Sequence, residues 1–255
     1  IIIIIAINLM IILEIALIGQ CNFQFTWQRI YILRGVLFST SIISIGSMYI
    51  LYYTYKNDVI FLVAHAFILI TIEYVYNNCF FEYIRKNYVS IFLVLNFIFF
   101  VIDYLVFLYK DHKISRIILK QKVKYLYVTI GILLFVFLYE FSMNIFIGKI
   151  MAIKGGNMLQ LIVAIFTIIV TLKIYKETFQ GIGRNIYFFI ALSLNIIAIK
   201  KLYVVKTQFS YDYASGINII LGILAVCVII IGFFHETIQK IYVSDVLIFN
   251  LYIFF

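Results

Sequence analysis

The sequence predicts an all-α, polytopic bundle of membrane-spanning helices, and three observations predict it. Hydrophobic residues make up 65% of the 255-residue chain and charged residues 12%, with a mean hydropathy of +1.12; soluble domains carry about a quarter charged residues. The apolar residues form long unbroken runs without the alternation of a membrane barrel, so every backbone group is best satisfied within helices. The basic residues that give the net charge of +9 gather between the runs.

A spanning helix needs roughly 20 apolar residues, and nine stretches are read as spans, at 1–18, 35–55, 59–80, 89–109, 125–148, 156–173, 185–199, 213–234 and 241–255. The first, IIIIIAINLMIILEIALI, lacks a basic start and contains Glu14, so it reads as a span and not as a cleaved signal. The second needs no special comment. The third carries Glu73 within ITIEYVY, and the fourth carries Asp103 near its end. The fifth, YLYVTIGILLFVFLYEFSMNIFIG, carries Glu140 near its middle. The seventh and ninth are short. The eighth contains Gly216, Asn218 and Gly222, and the ninth contains Asp245. No repeat or linker divides the chain.

Between the fourth and fifth spans, KDHKISRIILKQKVK sets Lys110, Lys113, Arg116, Lys120, Lys122 and Lys124 against one acid, Asp111. This dense loop is the best orientation marker, and it places 110–124, with the N-terminus, on the cytoplasmic or matrix side. Lys110, Lys113, Arg116, Lys120 and Lys122 are candidates for lipid headgroup contact, each worth about 1 kcal/mol near an anionic surface.

Composition excludes several functions. No aromatic-basic surface supports nucleic-acid binding. Cys21, Cys79 and Cys227 are scattered without CxxC spacing, so neither a disulfide framework nor a metal cage is indicated. His65, His112 and His235 are equally dispersed, which argues against haem ligation by this chain. The absence of Pro, with Ile, Phe, Tyr, Asn and Lys abundant, points to an AT-rich gene of organellar type.

Four acids fall within or near spans. Glu14 and Asp103 lie close enough to segment ends to reach the interface and read as structural. Glu73 reads as a hydrogen-bonded packing residue. Glu140 is deep enough that a lone carboxylate would cost a few kcal/mol, which requires a partner or a proton and makes it the functional candidate. Gly131, Gly216 and Gly222 permit close helix contact, and Asn218 is placed to hydrogen-bond across helices.

The last part of the chain resembles cytochrome c oxidase subunit III. GINIILGILAVCVIII keeps the six-residue spacing of Gly216 and Gly222 found in that family's sixth helix, with Asn218 where the family has His. SDVLIFNLYIFF is similar to the start of its seventh helix, with Asp245, Val246, Leu251 and Tyr252 in register and Ile248 in place of a Trp. FSYDY at 209–213, Asn157 before MLQLIVAIF, and QKVKY followed by GILLFVFLYE complete the order, and Glu140 then corresponds to the family's third-helix glutamate. The resemblance covers about residues 110–255. It implies seven family-like helices in 56–255, and an added N-terminal extension at 1–55 with about two spans.

The same resemblance implies a non-redox core subunit of respiratory complex IV in the mitochondrial inner membrane. Such a subunit braces subunit I, binds phospholipid, and supports matrix-side proton uptake during oxygen reduction. It implies no cofactor in this chain, with haem a and copper in partner subunits I and II. The chief rival is a proton-translocating subunit of NADH dehydrogenase, complex I. That reading wants lysine in mid-span, where none is placed here. An ATP synthase subunit a needs an arginine inside a helix, whereas Arg34 and Arg184 lie at segment edges. A secondary transporter would show broken helices and a repeat.

Overall fold

The computed structural model describes residues 27–79, 88–147, 152–154, 156–179, 185–207 and 213–254. The span expected at 1–18 lies outside them. Eight α-helices are described: α1 (Trp27–Tyr55), α2 (Asp58–Cys79), α3 (Ile91–Leu108), α4 (Lys113–Lys120), α5 (Lys122–Ile147), α6 (Gly156–Phe179), α7 (Asn185–Thr207) and α8 (Tyr213–Phe254). Six of these are long and apolar enough to cross a membrane, α1, α3, α5, α6, α7 and α8. The chain is a multi-pass membrane protein.

Helices α1, α2, α3, α6, α7 and α8 close a ring, each packing on the next and α8 returning to α1. Helix α5 leans on α3 from outside and leaves Tyr127, Phe135, Leu134 and Leu138 exposed. The core is built from aliphatic and aromatic side chains of the ring, with Phe61, Phe67, Tyr76, Phe92, Phe97 and Phe100 among its most buried members. Helix α2 is the most deeply enclosed, since Val59 to Phe67 are buried without interruption.

Local chemistry sets the breaks. Lys56 takes a left-handed backbone (φ 51°) that ends α1, and the Asn57 side chain then accepts from the Val59 N–H to start α2. Ser90 caps α3 by accepting from Leu93 N at 3.2 Å. Just before it, strand β1 (Tyr88–Ser90) pairs antiparallel with β2 (Ala152–Lys154), register Tyr88 to Lys154 and Ser90 to Ala152.

Three boundaries differ from those expected. The seventh span does not end at 199 but runs to Thr207, so Lys200 and Lys201 are helical and not loop residues. The stretches at 213–234 and 241–255 are not two spans but the single 42-residue helix α8. No glycine follows Gly232 and the chain has no proline, so nothing in HETIQKIYVSD stops the helix. The hairpin that would separate the family-like sixth and seventh helices is therefore absent. Within the basic loop, residues 113–120 form α4, capped by His112.

Candidate functional site

The polar residues of α2 lie on one face. Asp58, His65, Glu73 and Tyr76 fall within about 80° of one another at 100° per residue, and from Asp58 to Tyr76 the helix rises about 27 Å, close to the thickness of a hydrocarbon core. Each meets a polar partner from another helix.

Asp58 accepts from Lys122 Nζ of α5 at 2.7 Å, at the half-exposed end of the row. About two turns inward, His65 is fully buried, and its Nδ1 lies 2.7 Å from Oδ2 of Asp103 on α3, itself 1% exposed. The other ring nitrogen lies 2.8 Å from Oγ1 of Thr129 on α5. Tyr125 donates its hydroxyl to Asp103 Oδ1 at 2.9 Å. The Thr129 hydroxyl also lies 2.9 Å from the Leu126 carbonyl. It has one proton for two acceptors. Directed at Leu126, it requires that His65 Nε2 bring its own proton; turned to Nε2, it serves a neutral ring. The same heavy-atom positions thus accommodate two protonation states of His65 while the bond to Asp103 persists.

A cavity of about 20 Å³ adjoins Asp103, between α2, α3, α6 and α7, lined by Val59, Leu62, Ala66, Tyr104 and Val170 among others. That volume is water-sized, but the lining is almost wholly apolar and offers a water few hydrogen bonds. Asn96, two turns before Asp103 on the same face of α3, donates to the Leu69 carbonyl of α2 at 3.2 Å, midway between His65 and Glu73. Its amide oxygen is buried with no hydrogen-bond partner among the described residues. An orphaned acceptor at that depth calls for a further donor such as water.

Glu73 accepts from Lys201 Nζ of α7 through both oxygens, at 2.8 Å each, and the ammonium also stands 4.9 Å from the Phe97 ring. Lys201 is 3% exposed. At the far end, Tyr76 donates its hydroxyl to Glu140 Oε2 and stacks on Phe92, with ring centroids 4.3 Å apart.

Glu140 has a second attachment. Its Oε1 accepts from the Phe92 backbone N–H at 3.1 Å, in the first turn of α3. At the other end of α3, Lys173 of α6 donates to the Leu108 carbonyl at 2.8 Å. A carboxyl oxygen that accepts at the N-terminus and an ammonium that donates at the C-terminus thus satisfy groups the helix leaves unpaired at both ends. Glu140 is a paired acid, as its depth requires.

The place of Asp103 near a segment end suggested that it reaches the interface; instead it is buried, held by His65 of α2 and Tyr125 of α5. Gly216 and Gly222 are buried, and a Cβ on Gly222 would lie 3.2 Å from the Leu37 methyls of α1, so this glycine permits close α1–α8 approach. The Asn218 amide oxygen finds no partner among the described residues. The side chain of Asp245 lies outside those described. Of the basic set, Lys122 turns to Asp58 and Lys110 stands over the Phe107 ring at 4.7 Å, whereas Lys113, Arg116 and Lys120 are exposed.

Sequence reasoning missed His65, Tyr76, Asn96, Tyr125, Thr129 and Lys201 as parts of a site. The available signal was the recurrence of polar residues at seven or eight positions on α2 and α3, a stripe along one face. Comparison with family models, with characterised proteins and with solved structures finds no match for this chain.

Proposed function

We propose that this chain moves protons across a membrane, along the polar face of α2. The observation that carries the reading is the row of paired groups from the half-exposed Lys122–Asp58 through the buried His65–Asp103 and Lys201–Glu73 to Tyr76–Glu140. Ionisable groups inside a bilayer are costly, and proton relays are a principal use of them. One feature supports continuity: the Asn96 amide oxygen between His65 and Glu73, which has no partner among the described residues and can take a water. His65, with its two compatible protonation states, serves as the relay group.

Both respiratory readings fit a non-redox, proton-handling subunit, and the AT-rich composition supports an organellar gene and hence the mitochondrial inner membrane. The Lys201–Glu73 pair favours the complex I type, because it supplies the buried lysine whose lack had counted against it. The complex IV reading rests on the Gly216 and Gly222 spacing and on the position of Glu140. It entails subunits I and II as partners, haem a and copper held by them, and bound phospholipid.

The test is voltage-driven proton uptake by proteoliposomes containing the purified chain. Asp103→Asn and His65→Gln are expected to reduce uptake at least about tenfold, equivalent to about 1.4 kcal/mol on the barrier. Uptake that is absent in the unmodified chain, or unchanged in both folded variants, would overturn the proposal. The assembly is decided separately on the native complex: rotenone-sensitive NADH oxidation supports complex I, and haem a bands with cytochrome c oxidation support complex IV.

A further inference from the structure

Helix α4 shows three distinct faces. Ile118, Leu119 and Ser115 turn to the bundle, the first two packing on its core and Ser115 buried. About 120° away, Ile114 and Ile117 are 62% and 52% exposed. On the third face, Lys113, Arg116 and Lys120 are all exposed. Among the described residues Arg116 has one acidic neighbour, the fully exposed Asp111 at 3.6 Å, which is too solvated to hold it. The chain around α4 therefore offers an uncompensated basic strip beside an apolar strip. It does so in the connection between α3 and α5, two helices long and apolar enough to cross a membrane.

The geometry points to α4 as an interfacial helix that binds anionic phospholipid, with Ile114 and Ile117 in the acyl boundary and Lys113, Arg116 and Lys120 against headgroup phosphates. An amphipathic helix in the interface plane needs this adjacency of apolar and basic faces. Charge complementarity selects the occupant: three exposed cations with no buried acid fit an anionic surface, and each is worth about fivefold in partition there. Lys122 is excluded from the set because Asp58 holds it. The inference is independent of proton transfer along α2.

The full chain, reconstituted in phosphatidylcholine bilayers, is probed with spin-labelled phosphatidylglycerol and spin-labelled phosphatidylcholine in parallel. The unmodified chain is expected to restrict the anionic label at least about fivefold more strongly at low salt, a preference lost in about 1 M salt as the charges are screened. The triple variant Lys113→Gln, Arg116→Gln, Lys120→Gln should lose the preference, and Lys122→Gln should keep it. A preference that survives the triple substitution or high salt overturns the assignment. So does the lack of any preference in the unmodified chain, which would leave the strip to an acidic protein partner. If the triple variant fails to fold, the salt dependence of the unmodified chain decides.

Discussion

Both carboxylate oxygens of Glu73 accept from the Lys201 ammonium at 2.8 Å, joining α2 to α7 across the interior of the ring. With the two side chains 12% and 4% exposed, neither charge has water to fall back on. Removing one partner, by Glu73→Gln or Lys201→Met, should cost about 3–5 kcal/mol, whereas Glu73→Leu with Lys201→Met should cost little. Unfolding in detergent measures this, and a double variant as unstable as the sum of the singles would contradict the pairing.

Glu140 ties α5 to the first turn of α3 through the Phe92 N–H. Glu140→Ala should destabilise by about 1–3 kcal/mol, because a buried donor loses its acceptor. Glu140→Gln keeps a carbonyl oxygen and should retain most of the stability. Hydrogen exchange at Phe92 reports directly, rising in the alanine variant and little changed in the glutamine one.

Thr129 gives His65 Nε2 its partner. Thr129→Val preserves shape and removes the hydroxyl, so proton uptake should fall and stability drop by about 1–3 kcal/mol. Thr129→Ser should restore both. Rescue of stability without rescue of uptake would assign the hydroxyl to packing alone.

Two glycines make opposite forecasts. A Cβ on Gly232 would lie 2.6 Å from Phe189 Cβ and 2.8 Å from its Cγ, so Gly232→Ala should cost about 1–3 kcal/mol by overpacking α7 against α8. A Cβ on Gly131 meets nothing within 4 Å, so Gly131→Ala should stabilise α5 by up to about 1 kcal/mol. Thermal melts of the two variants side by side check the contrast.

Hydropathy located the helices because the cost of unsatisfied backbone in lipid acts locally, and α1, α3, α5 and α6 fall close to the expected spans. It misjudged Lys200 and Lys201, since two adjacent charges read as a loop when the acid that compensates Lys201 lies 128 positions away. It also misread the end of the chain, where polar residues between apolar runs were taken for a break that helix-compatible residues do not make. Glu140 was found because a buried acid is visible in any window of sequence. His65 and Asp103 were not joined, because each alone is ordinary, and their bond depends on how α2 meets α3, 38 positions apart. The cap of α3 by Glu140 was likewise invisible, since it uses a backbone group that every residue has.

Strands β1 and β2 are three residues each, yet their position gives them leverage. Ser90 is at once the end of β1, paired with Ala152, and the cap of α3. Separating the two strands would loosen that cap, fray the turn containing Phe92, and weaken the backbone donor of Glu140. The position of the buried acid thus rests in part on the pairing of two three-residue strands.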